Sequence, residues 1–195
     1  YLVTEIGIRT PKELRVKELH TGESGLLTRL MIPLLSLGNK DSVRIDGKGT
    51  LLRRPLTDAN EIMAAFGVVL ENCGNKKGKE IYVPVQLSGE LLPGRADISG
   101  KGGSQLISGL LMALPLLEQP SKIMLTTKAV STPYLDMTLA VMAQHGVRAE
   151  KTETAAYARI RAVNRESKTR MDEGFAFVDD LLNATVVKTT EEQAE

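Results

Sequence analysis

Cysteine is nearly absent, at one residue in 195, so no disulfide can form within the chain. Nothing in the sequence therefore points to a small secreted scaffold. There is no tryptophan and there are two histidines, so Cys/His zinc-finger sites and a tryptophan-rich binding surface are excluded. Charge of one sign is also missing. Lys+Arg is 25 against Asp+Glu 24, a net charge of +1, where a general nucleic-acid binder carries a basic excess. The apolar runs, such as Leu110–Leu117, are too short to span a bilayer. The start, Tyr1-Leu2-Val3-Thr4-Glu5, has no initiator Met and no basic-then-apolar signal region, which reads as an internal or trimmed piece of a longer protein, with a cytoplasmic location expected. What remains is 42% hydrophobic, enough for one domain with a real core or for two small subdomains.

The most informative feature is an internal repeat of roughly 80 residues. Gly22-Glu23-Ser24-Gly25 precedes the apolar run Leu26–Leu35, and Gly102-Gly103-Ser104-Gln105 precedes Leu106–Leu117. Each predicts a small-residue loop opening a mostly buried helix that ends near a proline. A strand follows in each copy, Ser42–Ile45 and Lys122–Thr126. Next come Arg54-Pro55-Leu56-Thr57-Asp58 and Thr132-Pro133-Tyr134-Leu135-Asp136, each leading into a second helix. Ile62, Met63 and Phe66 supply the apolar face of one; Met137, Leu139, Val141 and Met142 supply that of the other. Both end at glycine, Gly67 and Gly146, which accepts the left-handed conformation at a helix C-terminus. Another strand should follow each. The reading is thus an α/β fold of two tandem units, about 1–80 and 81–165, with 166–195 unassigned. Gly74–Lys79 reads as a turn, Ile81–Gln86 as a strand and Leu91–Gly94 as a turn. Ala158, Ile160 and Ala162 alternate with Arg159 and Arg161, a half-exposed strand. Asp172 would open a short helix carrying Phe175, Val178, Leu181 and Leu182, and the polar end Thr189–Glu195 should fray.

Chemistry gathers in the loops. Gly22–Gly25 and Gly100–Gln105 lie at predicted helix starts, where free N–H groups and the helix dipole suit phosphate or carboxylate. Two N-caps with turns would look the same in sequence. Neither loop matches the nucleotide-binding glycine patterns. Arg53-Arg54-Pro55, between a strand and a helix, offers a guanidinium fork for an anion or simply a surface charge. Ser131 and Tyr134 occupy the corresponding loop of the second copy and present hydroxyls, which also serve as caps. His20 and His145 lack metal spacing, Cys73 reads as a spare thiol, and Met112, Met124, Met137 and Met142 read as core.

Together these segments, from about Arg15 to Val147, resemble the 5-enolpyruvylshikimate-3-phosphate synthase family. Four ordered motifs carry the likeness. Gly103-Ser104-Gln105 is similar to the family's Ser-Ser-Gln helix start, and Ser131-Thr132-Pro133-Tyr134 to its Ser-Lys-Pro-Tyr. Gly22-Glu23-Ser24-Gly25 is similar to a variant of its Asn-Ala-Gly-Thr loop, and Arg54-Pro55 to its Arg-Pro. The resemblance implies two lobes, each of three βαβαββ units about a pseudo-threefold axis (an α/β prism). It implies transfer of the enolpyruvyl group of phosphoenolpyruvate to the 5-hydroxyl of shikimate 3-phosphate in aromatic amino acid and chorismate biosynthesis. Carried over residue by residue, Ser104, Gln105, Ser131 and Tyr134 would hold shikimate 3-phosphate, and Gly25, Arg54 and Gln105 would hold phosphoenolpyruvate. Such a site requires Arg54, Gln105 and Tyr134 to share one hollow.

No acid–base residue, metal or cofactor is implied in this chain, and no nucleic-acid or membrane partner. The first Ser of Ser-Ser-Gln is Gly103 and the Lys of Ser-Lys-Pro-Tyr is Thr132. The family's Lys-Ser-x-Ser-x-Arg loop and its second lobe have no match in the sequence. The expectation is a partial enzyme carrying the shikimate-phosphate side, nearly inactive without a complementary lobe. Two alternatives stand beside it: a non-catalytic remnant that needs a partner, and a relative of the UDP-sugar enolpyruvyl transferases.

Overall fold

The computed structural model describes residues 17–38, 41–74, 78–127, 131–153 and 158–163. The first half runs β1 (Glu18–His20), α1 (Gly25–Leu35), β2 (Val43–Asp46), a 3-10 turn (Gly49–Arg53), α2 (Ala59–Ala64), β3 (Val69–Asn72) and β4 (Val85–Ser88). The second half repeats the order. It runs β5 (Arg95–Ile98), a 3-10 turn (Gly100–Gly102), α3 (Gln105–Ala113), a further 3-10 turn (Leu114–Leu116), β6 (Ser121–Leu125), α4 (Thr132–Gln144), β7 (Arg148–Glu153) and β8 (Ala158–Val163). Each half is a βαβαββ unit, and the fold is α/β with two such units in tandem.

The two sheets share one topology, β1-β2-β4-β3 and β5-β6-β8-β7. β1 pairs parallel to β2, and β5 to β6, so each pair needs a crossover, which α1 and α3 supply. β2 and β3 both run antiparallel to β4, and are therefore parallel to each other; the same holds for β6 and β7 about β8. It follows that all four helices run back against the parallel strands. Their N-termini emerge at the C-terminal ends of those strands, where α/β folds collect ligands.

The apolar alternation of the strands sets the core. Val43 and Ile45 of β2, Val85 and Leu87 of β4, and Ile123 and Leu125 of β6 all point inward. Helix α3 is buried at every position from Leu106 to Ala113, as its lack of a polar face requires. It crosses α1 at Gly109, where a Cβ would meet the Leu30 carbonyl oxygen at 2.8 Å and that of Arg29 at 3.1 Å. The helices approach this closely because Gly109 has no side chain. Gly67 (φ +82°) and Gly146 (φ +77°) end α2 and α4 as the sequence predicts.

Four expectations are corrected. The sequence reading contained no strand at β1 or β5; both are edge strands completed by pairing. The strand expected over Ile81–Gln86 begins only at Val85 and runs on to Ser88. Pro84 has no N–H to give a ladder. The preceding segment is tied instead by the Asn72 side chain, which accepts from Tyr82 N–H (2.7 Å) and donates to the Glu80 carbonyl (2.9 Å). Helix α3 stops at Ala113 rather than Leu117, because Pro115 cannot donate to the Leu111 carbonyl; a 3-10 turn takes over. Met137 is 58% exposed rather than core. The helix expected after Asp172 and the polar end lie outside the described residues, as do 75–77 of the Gly74–Lys79 turn. Among the described residues no helix is long and apolar enough to cross a membrane, and no His/Cys/Asp/Glu cluster could hold a metal.

Candidate functional site

In the first unit the glycine loop is pinned on both sides. Ser24 caps α1, its Oγ accepting the Leu27 N–H at 3.1 Å. The buried Thr21 and Thr28 hydroxyls, 2.8 Å apart, hold the loop to the first turn. Lys48 N–H donates to the Gly22 carbonyl at 2.8 Å. Gly47 lies so close that a Cβ there would meet that carbonyl at 3.0 Å and Leu51 Cδ2 at 2.6 Å. The Glu23 carboxylate fills the space beside Gly49 and accepts the Thr50 N–H at 3.4 Å, at the start of the next turn. The first intrahelical bond of α1 is made by Thr28 N–H to the Ser24 carbonyl, so the Gly25 and Leu26 N–H groups precede it and face outward from the helix.

Asp46 anchors the far side of this loop. Its carboxylate accepts from Gly47 N–H (2.7 Å) and from Arg44 (3.0 Å), while its carbonyl accepts from Thr21 N–H (2.9 Å). Burial pushes the carboxyl pKa up, but the Arg44 and Gly47 hydrogen bonds outweigh it and hold the group below its ordinary value. The folded pKa is depressed. The stabilisation is therefore complete above the unfolded value of about 3.9 and is lost as pH falls through the folded one. Asp46→Asn should lower the melting temperature at pH 7, and the difference from the parent should shrink in thermal melts at pH 3. A difference that persists undiminished at pH 3 would show that the charge is not the cause.

Two guanidiniums meet beside this helix start. Arg54 follows the 3-10 turn directly, its N–H donating to the Leu51 carbonyl at 3.0 Å, and its side chain is exposed. The sequence placed Arg53-Arg54 at a strand end; the structure inserts a 3-10 turn after β2 that ends on Arg53, with Arg54 just beyond it. Arg29, one turn into α1 and half-buried, donates from Nη1 to the Gly25 carbonyl (3.1 Å) and from Nη2 to the Pro55 carbonyl (2.8 Å). Burial, and then the charge of Arg54, lower its pKa. Among the described residues the ion pairs are Arg44–Glu18, Arg44–Asp46 and Arg95–Asp97, and none neutralises Arg29 or Arg54. The sequence reading missed Arg29. The signal was present: one lone charge in the Leu26–Leu35 run, where Thr28 is the other polar residue.

In the second unit Gly100 N–H donates to Thr127 Oγ1 (3.0 Å) and the Ser99 hydroxyl accepts from Lys101 N–H (3.3 Å). Gly103 takes φ +90°, and Ser104 is buried at the N-cap of α3 without its hydroxyl capping the helix. Gln105 is half-buried and starts the helix. Ser131 precedes α4, its carbonyl accepting from Tyr134 N–H at 3.2 Å, and the Tyr134 side chain is 62% exposed. The Ser108 and Thr138 hydroxyls, 3.0 Å apart, join α3 to α4 one turn beyond Gln105 and Tyr134. The two helices are parallel, so these starts lie side by side at one end.

The structure thus groups Gly25 with Arg54, and Ser104 and Gln105 with Ser131 and Tyr134. A hollow of about 10 Å³, lined in part by Arg29, Thr57, Gly102, Gly103 and Leu106, lies near these elements but includes none of the six residues. A larger cleft of about 520 Å³, lined in part by Asp58, Glu61, Arg95, Asp97 and Thr126, lies between α2 and β5. Neither hollow is lined by Arg54, Gln105 or Tyr134, so the single shared hollow expected of these three is not found among the described cavities; they stand at helix starts and in the loop before α2. His20 accepts the Gly22 N–H at Nδ1 (3.1 Å), and the Cys73 thiol faces Gln86 Oε1 at 3.9 Å.

Comparison with known proteins falls on one family. The EPSP synthase (3-phosphoshikimate 1-carboxyvinyltransferase) family profile matches residues 3–186. A 3-phosphoshikimate 1-carboxyvinyltransferase of Clostridium botulinum (strain Alaska E43 / Type E3) is 37% identical over 146 residues, 73% of this chain and 32% of that protein. Its counterpart from Clostridium novyi (strain NT) is 33% identical over 128 residues, 66% of this chain and 28% of that protein. The chain therefore spans about a third of the length of the curated relatives it matches. The solved EPSP synthase of Acinetobacter baumannii shares the fold, with a TM-score of 0.56 at 18% identity, covering 77% of this chain and 31% of that one.

Proposed function

The chain belongs to the EPSP synthase family, and on that premise we propose that it serves enolpyruvyl transfer from phosphoenolpyruvate to shikimate 3-phosphate, contributing the shikimate-phosphate side of the cleft. Gly25 through its N–H, with Arg54 and Gln105, takes phosphoenolpyruvate. Ser104, Gln105, Ser131 and Tyr134 take shikimate 3-phosphate. The observation that carries this reading is the pair Arg29 and Arg54, two guanidiniums without a carboxylate partner among the described residues, beside a capped helix start. An anion relieves such a pair, and phosphate or carboxylate fits both the guanidinium fork and the free N–H groups. These groups position the reactants and stabilise charge as the 5-hydroxyl oxygen bonds to the enolpyruvyl carbon and the carbon–phosphate oxygen bond breaks, the hydroxyl proton leaving in the net balance with the phosphate. None of them moves a proton.

With about a third of its relatives' length, the chain supplies only part of the clamp. It binds weakly alone, turns over little, and gains phosphate release when mixed with a complementary lobe. Binding is the direct test. Titration with each substrate, followed by amide chemical shifts, should show perturbation around Gly25 and Gln105. Arg54→Ala should weaken phosphoenolpyruvate binding by roughly ten- to a hundredfold, the range of a charged hydrogen bond. Gln105→Ala should weaken both substrates. Binding untouched by either substitution would overturn the assignment.

A further inference from the structure

We propose that Arg29 is a positioning residue for the phosphoenolpyruvate site, a strut whose two guanidinium nitrogens hold the start of α1 and the Arg54-Pro55 loop in one geometry. The proposal rests on the reading above, in which Gly25 and Arg54 grip one anion. Its basis is the pair of bonds to the Gly25 carbonyl (3.1 Å) and the Pro55 carbonyl (2.8 Å), which tie two segments far apart in sequence. A guanidinium is planar and its donors sit in a fixed fork, so two bonds set the spacing of the two backbones. An ammonium is a single rotating point and cannot set it.

Arg29 is also half-buried, although charged side chains are normally left in water. Arg29 lines the small hollow together with Gly102 and Gly103, so the loop that opens α3 faces the same hollow. Its own carbonyl lies at the α1–α3 crossing, 3.1 Å from where a Gly109 Cβ would stand. One residue therefore bonds the first glycine loop and the arginine loop, and shares a hollow with the second glycine loop. It leaves to Arg54, which is exposed, the role of meeting the ligand.

The test is a double-mutant cycle on the full chain, with phosphoenolpyruvate as the probe and amide chemical shifts as the readout. Arg29→Gln should weaken binding about tenfold. Arg29→Lys should lose nearly as much, since it keeps the charge and forfeits the fork. In the Arg54→Ala background the loss from Arg29→Gln should fall to about twofold, because the group being aimed is gone. Wild-type affinity in Arg29→Lys would overturn the strut in favour of simple charge. An equal loss in both backgrounds would overturn it in favour of a general staple. Arg54→Ala binding as tightly as the parent would overturn the proposed function itself, whereas loss of binding in Arg54→Ala without loss in Arg29→Gln would overturn the strut alone. Dispersed spectra separate weak binding from unfolding, and Arg29→Lys carries the cycle should Arg29→Gln unfold.

Discussion

Gly109→Val is expected to destabilise the chain by about 2–3 kcal/mol, the range for forcing atoms into a packed core. The three atoms nearest a Cβ at this position are the Leu30 oxygen (2.8 Å), the Arg29 oxygen (3.1 Å) and Leu30 Cα (3.1 Å). All three belong to the backbone, so no side chain can rotate away and α1 must separate from α3. Glycine in a helix is itself unfavourable by about 1 kcal/mol relative to alanine. Gly109→Ala recovers that amount but still drives a Cβ into the Leu30 carbonyl, so a smaller net loss is expected. Gly102→Ala is the control, since the nearest atom there is Asp58 Oδ2 at 3.5 Å, an ordinary contact. Denaturant unfolding would resolve the difference as a shift in midpoint at constant slope. The same variant should weaken phosphoenolpyruvate binding, because the turn that moves carries Arg29. An unchanged midpoint in Gly109→Val would mean that α1 and α3 do not cross as described.

What could be read from the sequence depended on how local the cause was. The Gly22–Gly25 and Gly102–Gln105 helix starts, and the Gly67 and Gly146 ends, are set by a few neighbouring residues and were legible. Strands β1 and β5 were not. Glu18-Leu19-His20 and Arg95-Ala96-Asp97-Ile98 offer one or two inward apolar residues each, and they become strands because β2 and β6 lie alongside. The resemblance to a βαβαββ family implied them where pattern could not. The candidate site divided along the same line. Gly25, Arg54, Gln105 and Tyr134 stand in motifs and could be proposed from them. Arg29 was missed because half of its work is with Pro55, a partner its own neighbours do not reveal. The relation between the halves of the site was also invisible, since it rests on helix direction. Parallel α3 and α4 bring Gln105 and Tyr134 to one end only because β6 and β7 are parallel.

Phe66→Ala is expected to cost more still, about 3–5 kcal/mol, the range for deleting a buried aromatic ring. Phe66 has no exposed surface, and it closes α2 with its N–H on the Met63 carbonyl (2.9 Å). Its own carbonyl accepts from Leu92 N–H at 2.8 Å, and its ring edge lies 3.2 Å from where a Gly94 Cβ would stand. The ring is thus the floor beneath the segment that leads out of the first unit into β5. A cavity there removes packing and also frees the joint between the units. Met137 provides the contrast. The apolar spacing of the sequence gave it the same core role, yet in α4 the buried pair is Leu135 and Met142, seven residues apart and on one face. Met137, two residues after Leu135, falls about 200° around the helix and faces water. Met137→Ala should therefore change stability by no more than about 0.5 kcal/mol. Thermal or denaturant unfolding of both variants decides the matter. Similar losses in the two would place Met137 inside the protein, and the direction assigned to α4, with the neighbourhood of Gln105 and Tyr134 that depends on it, would have to be redrawn.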